Sequence, residues 1–164
     1  MTKPIKAYMS GALTGLNDDA RQRQLDRYEL IQRTCAAEGY ECYCPHQHSD
    51  PVRDADMAPS KVHELDSANV RDSDLVIADC TEPSFGLGIE VQMANNNEIP
   101  ILLIAQEGKE ISRLIRGIPN IVKVGKHADI LYFATDEMLA RRLAEELRLL
   151  RSRLLEMRSR RVER

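Results

Sequence analysis

Two short apolar runs constrain the fold most. Leu75-Val76-Ile77-Ala78 and Pro100-Ile101-Leu102-Leu103-Ile104 contain no polar residue and are rich in β-branched side chains. A strand with one face in water alternates polar and apolar residues, whereas a continuous apolar run must be covered on both faces. The chain supplies the covers. Between and around these runs lie segments with helical spacing, so strand and helix alternate and the fold class is α/β with a mainly parallel sheet. Ile5 to Met9 reads as a first strand ending at Ser10-Gly11. Ala20 to Glu38 reads as a helix whose Leu25, Tyr28, Ile31 and Cys35 form one apolar stripe, stopped by Gly39. Tyr40 to Cys44 is a second strand closed by Pro45, and 46–59 is a loop. A helix from Ser60, as N-cap, to about Arg71 precedes the third strand. Thr81 to Gly88 is a turn-rich loop, Ile89 to Asn97 a helix, and Ile111 to Arg116 a short helix stopped at Gly117. Ile130 to Phe133 supplies a fifth strand. Five strands suggest the flavodoxin-like order 2-1-3-4-5, a sheet flanked by helices with ligands beyond the strands' carboxyl ends.

Composition excludes several functions. The 164 residues carry 23 basic and 26 acidic side chains, and aromatics are 4% with no Trp. Such a chain has neither the basic footprint nor the stacking platform expected of a nucleic-acid binder. No run is long and apolar enough for a membrane span, and Met1-Thr2-Lys3-Pro4 leads into a strand without a signal peptide's apolar region. Cys35, Cys42, Cys44 and Cys80 do not read as a secreted disulfide framework, so reduced thiols and a cytoplasmic location are expected. Charge shifts once. Residues 136–164 hold nine Arg and six acids, which divides a slightly acidic body, 1–135, from an Arg-rich amphipathic helix, 136–164, with Leu139, Leu143, Leu147, Leu150 and Leu154 at helical steps.

The sharpest chemical feature is Pro83-Ser84-Phe85-Gly86-Leu87-Gly88-Ile89-Glu90, between a buried strand and a helix. Gly86 and Gly88 let backbone approach a ligand closely, and free N–H groups at a helix start favour anionic oxygen. Glu90 is expected in the first turn, where the helix dipole favours its ionised form; it suits a nucleophile and equally a simple helix-capping acid. The dinucleotide fingerprint is incomplete, because no third glycine follows. Asp66 lies three residues after His63, on one helix face, and can reach the same pocket, while Glu64 points elsewhere. Cys42-Tyr43-Cys44-Pro45-His46-Gln47-His48 offers four ligand side chains, but their spacing does not suit a zinc site. No metal and no cofactor are expected.

Taken together, Tyr8-Met9-Ser10-Gly11, His63-Glu64-Leu65-Asp66, Asp74-Leu75-Val76-Ile77-Ala78 and the Pro83–Glu90 loop resemble the nucleoside 2-deoxyribosyltransferase superfamily. Within it the chain is most similar to the 2′-deoxynucleoside 5′-phosphate N-hydrolases. The resemblance covers about residues 4–133 and makes 1–135 the catalytic domain. It implies that Glu90 is a nucleophile for the anomeric carbon, that Asp66 assists the leaving base and water, and that Tyr8 positions Glu90. It also implies substrate binding by Ser10, Gly11, Ser84, Gly86, Gly88 and Ser112. Transferases of this superfamily place an acid or amide near the 5′-hydroxyl, whereas the hydrolases have serines, which Ser84 and Ser112 match. A hydroxyl can donate to a phosphate dianion that a carboxylate would repel. The substrate implied is a nucleoside 5′-monophosphate. The resemblance further implies a homodimer, with Ser112 reaching the neighbouring subunit's pocket. Thr14 stands where the hydrolases carry an Arg, and Arg21 or Arg116 are the candidate substitutes. Base exchange on free nucleosides, or a non-catalytic nucleotide sensor, are the alternatives.

Overall fold

The computed structural model describes residues 4–125 and 128–162. Strands β1 (Ile5–Gly11), β2 (Tyr40–Tyr43), β3 (Leu75–Asp79), β4 (Ile101–Gln106) and β5 (Ile130–Phe133) alternate with helices α1 (Asp18–Ala37), α2 (Pro59–Arg71), α3 (Phe85–Asn96), α4 (Arg113–Arg116) and α5 (Asp136–Val162). The sheet is parallel throughout, in the order β2-β1-β3-β4-β5. This is the expected topology. The two apolar runs are the centre of it, and β3 is buried along its whole length.

Period-two alternation sends the side chains of each central strand into two separate cores. Ala7, Met9, Leu75, Ile77, Leu102 and Ile104 meet α1 and α5 on one face. Tyr8, Val76, Ala78, Ile101 and Leu103 meet α2 and α3 on the other. The leucines spaced along α5 are the largest helical contribution to the first core: Leu139, Leu143, Leu147, Leu150 and Leu154 are all buried there. Arg158 near the far end of α5 donates to Asp74 at 2.6 Å. No helix among the described residues is long and apolar enough to cross a membrane. All four cysteines are free thiols.

Helix starts depart from the sequence reading. Helix α3 begins at Phe85, four residues before the expected Ile89, and Ser84 caps it by accepting from the Leu87 N–H at 3.3 Å. The glycines suggested a loop, but a first turn closed by a serine cap tolerates them. Helix α2 begins at Pro59 behind Ala58, so Ser60 lies inside the first turn and caps nothing. A proline at the first helical position has its φ set for a helix and lacks an N–H that would go unbonded there anyway. Within the expected 46–59 loop, Pro45–Gln47 forms one 3-10 turn, and the expected 111–116 helix is confined to Arg113–Arg116.

Candidate active site

Where the five strands end, the segments that follow β1, β2, β3 and β4 enclose a cavity of about 1060 Å3. Glu90 and Asp66 both face it. So do Gly11, Leu13 and Thr14 from the first loop, His46 and Asp50 from the second, and Ser84 and Gly86 from the third. Lys109, Glu110 and Ser112 come from the fourth.

Glu90 is the best-held side chain of the group. The Tyr8 hydroxyl on β1 donates to its Oε1 at 2.8 Å, and the Ser10 hydroxyl, two residues along the same strand, donates to its Oε2. Tyr8 and Ser10 share a face because strand side chains repeat every two residues, and both are fully buried. Glu90 itself sits in the second turn of α3, not the first, and remains partly open to the cavity. Its charge state also departs from expectation. Burial pushes its pKa up to about 7, against the opposing Ser10 and Tyr8 hydrogen bonds, and the Asp66 charge raises it further. The dipole argument placed the carboxylate too near the helix end and left out desolvation.

Asp66 lies in the middle of α2 with its Oδ1 buried and without a hydrogen-bond partner. Burial raises its carboxyl above the ordinary value, while His63, His48 and the Tyr8 hydroxyl oppose that shift. Glu64 points away to an ion pair with Lys61 at 3.1 Å. Glu90 and Asp66 therefore both hold protons more strongly than ordinary carboxylates, which suits them to proton transfer.

The remaining expected residues stand differently to the cavity. Ser84, Gly86 and Ser112 line the cavity, with Ser112 exposed at the lip of its own chain's cavity. Gly88 is absent from the lining residues and has open space where a Cβ would stand. Gly11 lines the cavity, but its want of a side chain has another cause: an added Cβ would overlap the Tyr28 hydroxyl and come within 2.7 Å of Tyr28 Cζ. Ser10 spends its hydroxyl on Glu90. Arg21 pairs with Asp50 at 2.5 Å and Arg116 lies 4.0 Å from Asp129, and neither is among the lining residues. Thr14 does line the cavity.

Sequence reasoning missed two features. Lys109 is the one Lys or Arg among the described lining residues, held at 3.0 Å by Glu82. Its position in the loop after a buried strand was the available signal. Tyr43 and His48 form a stack behind Tyr8, with ring centroids 5.6 Å apart for Tyr8–Tyr43 and 4.6 Å for Tyr43–His48. The stack braces the ring that holds Glu90. Among the described residues no cluster of His, Cys, Asp or Glu is arranged to hold a metal.

Comparison with known proteins supports the same region of fold space. No family model matches the chain. A protein of Methanococcoides burtonii, provisionally named 2′-deoxynucleoside 5′-phosphate N-hydrolase 1, is 25% identical over 115 residues, covering 69% of this chain and 90% of its own. The 5-hydroxymethyl-dUMP N-hydrolase of Mus musculus is 35% identical over 101 residues, covering 55% and 56%. Among solved structures, the CMP N-glycosidase of Clostridium botulinum superposes with a TM-score of 0.59 at 20% identity, covering 84% of this chain and 96% of its own. The 2-deoxyribosyltransferase of Bacillus psychrosaccharolyticus gives 0.56 at 16%, covering 82% and 90%. The fold is that of the deoxyribosyltransferases and nucleotide N-glycosidases, and the sequence similarity is to nucleotide N-hydrolases.

Proposed function

We propose that this chain, similar in sequence to nucleotide N-hydrolases, is an N-glycosidase that splits a nucleoside 5′-monophosphate into free base and sugar 5-phosphate. The observation that carries the reading is Glu90, a carboxylate held by two buried hydroxyls, tuned near neutrality and open to a nucleotide-sized cavity. The Glu90 carboxylate attacks the anomeric carbon, and the bond to the base nitrogen breaks through an oxocarbenium-like state. Asp66, whose proton is retained above the ordinary range, supplies it to the departing base or orients the base for protonation. Water then attacks the anomeric carbon of the glycosyl ester, its proton passes to the now ionised Asp66, and the Glu90 carboxylate leaves regenerated. Tyr8 and Ser10 orient Glu90 throughout.

The phosphate is assigned to the rim formed by Ser84, the Gly86 backbone N–H, Ser112 and Lys109. Lys109 takes the part left open by Thr14, because it is the one Lys or Arg among the described lining residues and neither Arg21 nor Arg116 lines the cavity. A panel of ribo- and deoxyribonucleoside monophosphates, followed by chromatography for free base, tests the activity. Absence of base release from every one of them would refute it, and base swapping in excess of hydrolysis would mark a transferase. Asp66→Asn should lower turnover by roughly a hundred- to ten-thousandfold with the fold intact; an unchanged rate would remove Asp66 from the proton path.

A homodimer is proposed with it. Phe85 is 96% exposed and Leu114 85% exposed beside the cavity mouth, an apolar rim that a second copy would cover. Ser112→Ala should weaken use of the monophosphate by about ten- to a hundredfold, because a hydrogen bond to a charged group contributes about 1.5–3 kcal/mol. Use of the free nucleoside should change little. Mixing Ser112→Ala with Glu90→Ala protein asks which chain the hydroxyl serves. A site shared across subunits gives back one intact site per mixed dimer, so activity rises above the sum of the parts. A hydroxyl serving its own chain gives no gain despite subunit exchange.

A further inference from the structure

Behind the cavity runs a buried polar chain that the chemistry above does not use. The Tyr28 hydroxyl on α1 donates to the Ala12 carbonyl at 2.9 Å and accepts from Gln24 Nε2 at 2.9 Å. The other Gln24 Nε2 proton goes to Asp79 Oδ2 at 2.8 Å. Arg27 Nη1 donates to Gln24 Oε1 at 3.1 Å and to Asp79 Oδ2 at 3.4 Å, and its Nε donates to Asp136 at 3.1 Å. Asp79 Oδ1 accepts the Thr81 N–H at 3.0 Å, and Thr81 Oγ1 accepts the Gln106 N–H at 3.1 Å. Tyr28, Gln24, Arg27, Asp79 and Thr81 are all buried.

The two ends of this chain reach the two loops that bracket Glu90. Ala12 lies between Gly11 and Leu13, and Leu13 and Thr14 line the cavity. Asp79 and Thr81 anchor the segment from Cys80 to Ser84, which lines it from the other side. The donors and acceptors of the chain fit together in one arrangement. Gln24 must give its carbonyl to Arg27 and its amide to Tyr28 and Asp79, and Tyr28 must then give its proton to Ala12. A network with a single consistent arrangement rigidifies what it ties. Gly11 adds an independent sign, because its Cβ space is filled by the Tyr28 ring and hydroxyl.

We propose that Tyr28 is a positioning residue for substrate binding: through its hydroxyl, and the Gln24–Asp79 link behind it, the first and third loops are set as one rigid cradle. Tyr28 touches no reacting atom. The inference rests on the nucleotide reading for what the cradle binds, and on geometry alone for the cradle.

Tyr28→Phe removes the hydroxyl and keeps the ring. Base release from the best monophosphate of the panel should show KM raised about tenfold, as expected when a buried carbonyl loses its partner and its loop loosens, with kcat changed less than about twofold. Amide order parameters at Ala12, Leu13 and Thr14 should fall from the rigid value of about 0.85. Ile31→Val, in the same core but away from both loops, should lower the Tm without moving KM. Gln24→Met severs both links and should loosen 80–84 as well as 12–14; it also serves if Tyr28→Phe does not fold. An unchanged KM, a loss confined to kcat, or unaltered order parameters at 12–14 overturns the inference. If the wild type cleaves nothing in the panel, the nucleotide reading fails, and the order parameters still decide whether the cradle exists.

Discussion

Replacing Glu90 by Gln abolishes turnover and yields a protein that is more stable than the original at pH 8. The loss of activity follows from removing the attacking oxygen anion, and an effect of roughly three orders of magnitude or more is expected. The gain in stability follows from the carboxyl's raised pKa. Its folded value of about 7 exceeds the ordinary 4.5 because burial disfavours the charge. Between those two values the folded state holds the proton and the unfolded state releases it, so stability falls as pH rises through that window. Above pH 7 the ionised Glu90 costs the fold about 1–3 kcal/mol, which an uncharged Gln does not. Near pH 4 both states are protonated and the difference vanishes. Thermal melts of the two proteins at pH 4 and pH 8 check this, and the same group predicts an acid limb in kcat/KM inflecting near 7. A variant that is equally or less stable at pH 8, or that keeps near wild-type turnover, contradicts the assignment of a strained, ionised nucleophile.

Ending the chain at Thr135 should leave no cooperatively folding protein. Five leucines of α5 are buried against the sheet, and burying a leucine contributes about 1.5–3 kcal/mol. Their sum, roughly 8–15 kcal/mol, equals the whole net stability of an ordinary domain. Polar ties add to it: the Tyr40 hydroxyl donates to the Leu147 carbonyl at 2.6 Å, and Arg151 Nη1 donates to the Glu38 carbonyl at 2.7 Å. Circular dichroism through a thermal ramp distinguishes the outcomes. A sharp transition in the shortened chain would make α5 an appendage. Leu143→Ala offers a milder form of the test, with a cost of about 2–5 kcal/mol.

The sheet was legible in the sequence because burial on both faces leaves an unmistakable mark at Leu75–Ala78 and Ile101–Ile104, and the crossovers then restrict the order. Glu90, Asp66 and Tyr8 were legible as residue types in a motif, and the fold brings all three to one place. Other features were not. The start of α3 was misread because Gly86 and Gly88 speak for a loop while Ser84 speaks for a cap, and local composition does not rank them. Glu90's charge was misread because burial, which raises its pKa, depends on how distant segments pack around it, and the Tyr8 and Ser10 hydroxyls that oppose the shift lie some eighty positions away. The reason for Gly11 was hidden for the same cause, since Tyr28 approaches it from the next helix. The Tyr8–Tyr43–His48 stack depends on ring orientations that no spacing encodes.

Arg158 joins two segments 154 positions apart in the sequence. Its guanidinium donates to the Pro4 carbonyl at 2.5 Å and to Asp74, whose Oδ2 also accepts the Lys6 N–H at 2.9 Å. Residues 4 and 158 therefore meet at the amino-terminal edge of the sheet, the pole away from the cavity. A surface or a fused partner attached near either point would leave the mouth, and the apolar rim beside it, unobstructed.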